Sequence, residues 1–129
     1  MQMTLPGIPC IYYGDEAGTE GYGDPFNRRF FPWDNIDGDI YSFYKKICEL
    51  RKKHKHIFAD GEYELVHEEN GVFFYKRKKD GDEIYVCVNL SDNAFDLQGR
   101  VFSGLLNEPL NIVEIKAKSF DILKNTRHE

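Results

Sequence analysis

The side chains able to do chemistry crowd into one stretch, GDEAGTEGYGDPFNRRFFPWDNIDGD, residues 14–39. Asp15 and Glu16 are adjacent, and neighbours at the end of an extended segment point to opposite sides. Two carboxylates that act together on one bond must flank it, about 5–9 Å apart. These two are therefore expected to be structural, bonding loop backbone or an arginine. Asp24, Asn27, Arg28 and Arg29 follow among aromatic residues. Asp accepts hydrogen bonds, and Arg offers a planar fork of donors. Such a set can hold the vicinal hydroxyls of a sugar while Tyr22 or Trp33 stacks on the ring, or it can be a salt bridge that orders the loop. Asp34, Asn35, Asp37 and Asp39 hint at calcium. The spacing fails, because with Gly38 as the loop glycine the first ligand position falls on Trp33 and the last on Tyr44. An acidic helix N-terminus accounts for them better.

The rest of the chain is quieter. His54, His56, His67 and His128 have no ligand spacing to a carboxylate or cysteine, and no serine sits in a nucleophile elbow. Gly18, Gly21 and Gly23 match no phosphate-binding motif, so no cofactor is called for. Cys10, Cys48 and Cys87 are odd in number and far apart, which predicts three buried small hydrophobes in a reducing compartment. A net charge of −5 argues against a nucleic-acid partner. No apolar run nears the roughly 20 residues of a membrane span, and Met1–Thr4 has no basic region of a signal peptide. A cytoplasmic location is the expectation.

Several elements must position the chemistry. Ile8–Tyr13 is an apolar run between Pro6-Gly7 and Gly14, which predicts a strand buried on both faces of a parallel sheet, with Pro9 at an unpaired position. Residues 14–39 read as a long functional loop. Ile40, Phe43, Tyr44, Ile47 and Leu50 share one face of a helix from Ile40 to about His54, with Asp37 or Asp39 as its cap. The texture changes near 57–61, which divides the chain into 1–57 and 58–129. Asn70-Gly71 and Asp80-Gly81 are hairpin turns linking strands at Glu62–Glu68, Val72–Lys78 and Glu83–Asn89. Weaker strands follow near 94–97, 100–105, 111–116 and 119–123. About seven short strands suggest a mainly β chain, an antiparallel β-sandwich. Tyr63, Phe73, Tyr75 and Tyr85 alternate with the strand period and read first as core. A ligand face built from them would instead mark a stand-alone carbohydrate-binding or structural module.

At this point LPGIPCIYYGDEAG and EGYGDPFNRRFFPW resemble the last barrel strand and following loop of the α-amylase superfamily of glycoside hydrolases. The branch most resembled is that of neopullulanase, cyclomaltodextrinase and maltogenic amylase. IYSFYKKICELRKKH resembles the eighth barrel helix, and the β-rich remainder resembles the C-terminal sandwich of that family. The resemblance implies the last βα unit of a truncated (β/α)8 barrel, whose active site lies at the C-terminal ends of its strands. It implies retaining α-glucan hydrolysis by a nucleophilic Asp, an acid/base Glu and a stabilising Asp, all on earlier strands. No such role passes to Asp15, Glu16 or Asp24, and none of these residues is catalytic. Asp24 and Arg28 match a sugar-binding pair, and Glu16 a structural position at the strand end. The chain alone is expected to be inactive. Its partner would be an α-glucan within the intact enzyme, with no nucleic acid and no membrane, and self-association through the orphaned strand is a further expectation.

Overall fold

The computed structural model describes residues 1–106 and 109–126; His128 lies outside them. Among the described residues there are two α-helices, α1 (Gly38–Lys53) and α2 (Lys55–Asp60), and seven strands. The strands are β1 (Glu62–Glu69), β2 (Val72–Lys79), β3 (Asp82–Asn89), β4 (Phe95–Asp96), β5 (Phe102–Gly104), β6 (Glu114–Ile115) and β7 (Ser119–Asn125). A five-stranded sheet runs β1-β2-β3-β7-β5, and β4 pairs β6 in a second sheet. Every pairing is antiparallel, so the chain is mainly β, as its turn signals predict. Both hairpin turns take left-handed backbone at consecutive residues, Asn70 and Gly71 at φ 51° and 80°, Asp80 and Gly81 at φ 52° and 87°. That geometry matches the strand twist, and Asn-Gly and Asp-Gly adopt it cheaply.

Each face of the large sheet carries its own core, because successive residues point to opposite faces. On one face Tyr75, Ile84, Val86 and Ile122 meet Ile47 and Leu50 of α1 and Ile57 and Phe58 of α2. On the other, Phe74, Tyr85, Cys87 and Leu123 meet Leu97, Phe102 and Ile115 under the small sheet. Helix α1 starts on Asp37, whose carboxylate accepts from the N–H of Asp39 and of Ile40, both at 3.0 Å. Only the C-terminal half of its apolar face is covered. Ile47 and Leu50 are buried, while Ile40 and Phe43 are 37% and 40% exposed.

Three expectations need correction. Ile8–Tyr13 is not a strand. A parallel strand is held by neighbours on both sides, and among the described residues none lies beside it; Ile8 is 98% exposed. The uninterrupted period-2 alternation that a strand over Glu62–Glu68 implies breaks at a bulge between Leu65 and His67. The extra residue lets Val66 reach the second core and turns His67 onto the ring of Phe95, centroids 4.8 Å apart. Nor are all three cysteines buried: Cys10 is exposed and Cys48 half-buried, and only Cys87 is buried.

The cysteines give a direct test of this packing. Burial pushes the Cys87 thiol up to about 12, and the thiolate is the reactive form. At about pH 8 an excess of iodoacetamide should alkylate Cys10 and leave Cys87 unmodified until denaturant is added, as read by peptide mass spectrometry. Rapid labelling of Cys87 in the native chain would contradict the second core.

Candidate substrate-loop site

The loop begins with a tight local structure. Gly14 is left-handed at φ 97°, and its N–H donates to Glu16 Oε2 at 2.9 Å. One turn of 3₁₀ helix, Asp15–Ala17, follows. Ala17 is buried, and its carbonyl accepts from the Asp37 N–H at 3.1 Å. Gly18 lies against the start of α1. A Cβ there would sit 2.9 Å from Ile40 Cδ1 and 3.1 Å from Asp37 Cβ, closer than such atoms approach, and its φ of 71° also favours glycine. Glu16 thus bonds backbone within its own turn.

Beyond Gly18 the structure brings Asp24 and Arg28 together. Arg28 Nε donates to Asp24 Oδ1 at 2.7 Å, with side chains 69% and 62% exposed. An ion pair this open to water contributes little to stability, so the pair has polar valence to spare for a ligand. Asn27 is exposed in the same loop. Arg29 lies over the Tyr22 ring, 5.6 Å from its centroid, and its carbonyl accepts from Tyr13 Oη at 2.9 Å. Phe31 and Trp33 stack at 4.6 Å. Tyr22, Phe26, Phe30 and Trp33 are all widely exposed. The loop therefore presents exposed aromatic rings and one open carboxylate–guanidinium pair. Such groups can bind a polyhydroxylated ring by stacking and paired hydrogen bonds.

The sandwich aromatics do not make a second such wall. Tyr75 and Tyr85 are 0% and 3% exposed and Phe73 is half-buried, which leaves Tyr63 as the exposed ring of the four. Sequence reasoning missed Arg77, 1% exposed in the middle of the sheet. The available signal was its place on the same strand face as Phe73 and Tyr75.

No protein-family model matches the chain. A cyclomaltodextrinase from Bacillus sp is 36% identical over 112 residues, covering 84% of this chain and 20% of that protein. An amylopullulanase from Thermoanaerobacter thermohydrosulfuricus is 41% identical over 78 residues, 60% of this chain and 5% of that protein. Among solved structures, a maltogenic amylase from S. marinus superposes with a TM-score of 0.81 at 32% identity, over 95% of this chain and 18% of that one. The chain thus spans between a twentieth and a fifth of the length of these relatives. By sequence and by fold it belongs with the C-terminal part of the α-amylase superfamily of glycoside hydrolases, in the company of cyclomaltodextrinases, maltogenic amylases and amylopullulanases.

Proposed function

We propose that this chain supplies one wall of the substrate site in a retaining α-glucan hydrolase. The substrates are α-1,4-linked maltooligosaccharides, cyclodextrins or pullulan. Asp24 and Arg28 bind sugar hydroxyls, and the chain by itself turns nothing over. The observation that carries this reading is the open Asp24–Arg28 pair, 2.7 Å apart among exposed aromatic rings. The catalytic Asp, Glu and Asp come from barrel strands that these 129 residues do not contain. The bare apolar run at Ile8–Tyr13 is where the rest of a barrel packs, or where two copies of the chain associate when it is alone. Free thiols at all three cysteines suit a reducing cytoplasm.

The test has two arms. The purified chain, given soluble starch or β-cyclodextrin, is expected to release no reducing sugar above a no-enzyme control, and clear turnover would overturn the reading. In the second arm, maltoheptaose is titrated into isotopically labelled chain. Weak binding should perturb the amides around Asp24 and Arg28, and Asp24→Ala should abolish it while leaving the melting temperature unchanged, as for an exposed pair. Perturbations centred on Tyr63 instead would favour a stand-alone carbohydrate-binding module.

A further inference from the structure

Two guanidinium groups converge on the chain just ahead of the exposed apolar run. Arg77, on β2, is buried and pairs with no carboxylate among the described residues. Its Nη1 donates to the Thr4 carbonyl at 3.0 Å, and its Nη2 donates to Gly61 O at 2.8 Å and more weakly to Phe58 O at 3.4 Å. Arg51, in the last turn of α1, donates from Nη1 to Met3 O at 2.6 Å and from Nη2 to Gly7 O at 3.0 Å. The hydroxyls of Thr4 and Tyr75 lie 2.6 Å apart. A buried guanidinium is costly unless its donors are used. These five bonds run to backbone carbonyls, three of them in residues 3–7, while Arg77 Nε is buried with no partner among the described residues.

The other end of this segment is tied to the same helix. Ala17 and Gly18 rest on Asp37 and Ile40 at the start of α1, whereas Arg51 grips Met3 and Gly7 near its end. Tyr13 Oη donates to the Arg29 carbonyl, next in sequence to Arg28 of the exposed pair.

From this we infer that Arg51 and Arg77 are positioning residues for the loop. They fix residues 3–7 to the sheet and to α1, and Tyr13 passes that position on to Arg29 and thereby to the Asp24–Arg28 wall. The sandwich side of the chain then sets where the loop stands. The consequence for glucan binding rests on the proposed function, but the positional claim does not, and it is tested without any sugar.

Trp33 is the single tryptophan, so its fluorescence reports on the loop alone. In Arg51→Met the amides of Thr4 and Leu5, which donate to the Met1 carbonyl at 2.9 and 3.1 Å, should exchange about tenfold faster, as local opening becomes easier once two charge-assisted bonds are gone. Trp33 should lose anisotropy and become more open to acrylamide, well below the melting temperature. Arg51→Lys should recover these readouts in part, because an ammonium cannot reach both carbonyls as a fork does. Tyr13→Phe should loosen Trp33 while leaving Thr4 and Leu5 protected, and it keeps the test alive should the arginine variants fold poorly. The inference is overturned if Arg51→Met frees Thr4 and Leu5 without changing Trp33, or if it changes neither.

Discussion

Phe74→Ala should destabilise the chain by about 3–5 kcal/mol, a large share of the 5–15 kcal/mol that holds a typical domain folded. The ring has no exposure at all. It sits at the centre of the core under the small sheet, with ring centroids of Tyr85, Phe95 and Phe102 at 5.8, 6.2 and 6.3 Å. Removing it leaves a cavity walled by three other aromatics and by Leu97 and Leu123. Large rings held from several elements cannot close such a hole without moving the sheets, so the loss combines transfer and cavity costs. The thermal midpoint should fall by on the order of 10–20 °C. Phe120→Ala, at a ring 45% exposed, is the control and should shift it far less. Equal shifts in the two variants would mean that the small sheet does not close over Phe74.

Asn89→Ala is the second large effect, for a different reason. The Asn89 side chain is fully buried and ties the end of β3 to the turn that follows it and to the end of β6. Its Nδ2 donates to Asn93 O at 2.8 Å and to Ile115 O and Lys116 O at 3.0 Å each. Its Oδ1 accepts from the Ser91 N–H at 3.0 Å and from Ser91 Oγ at 2.7 Å. Truncation removes the donor for three carbonyls and the acceptor for two donors. A stranded buried group costs about 1–3 kcal/mol, and neighbouring groups partly recover their partners, so a total of about 3 kcal/mol is expected. Asn89→Asp sharpens the test. A carboxylate turned on carbonyls is disfavoured in its charged form, which raises its folded pKa above the unfolded value. The variant should therefore be most stable at acid pH and lose stability as pH rises through the carboxyl range. Urea unfolding at several pH values reads both effects, and a pH-independent Asn89→Asp variant would refute the network.

Much of this architecture is legible in the residues because the relevant signals are local. Asn70-Gly71 and Asp80-Gly81 each require left-handed backbone, which leaves little choice but a hairpin. The period of Ile84, Val86 and Val88 assigns a face without any knowledge of what covers it. Helix α1 is announced by spacing and by the Asp37 cap, and differs from expectation only in its first two residues. The failures are non-local. Ile8–Tyr13 has the composition of a buried strand, but a strand is a relation between segments, and none of the described residues supplies the partner. The bulge at Leu65 and His67 depends on what Val66 can reach across the sheet. Arg77 looks like one more charge in the run Lys76 to Lys79, although its Nη donors reach carbonyls distant in sequence. The contact of Asp24 with Arg28, four residues apart, follows from the turn around Pro25, where Arg28 N donates to Pro25 O at 3.0 Å.

The margins of the large sheet have a further bearing on how this chain behaves at high concentration. One margin is β1, bent by its bulge and lined by Glu62 and Glu64 paired with Lys76 and Lys78. The other is β5, three residues long. Neither is a straight, uncharged template on which another strand could be laid. Among the described residues, the large sheet thereby offers no edge from which a fibre could grow by strand addition.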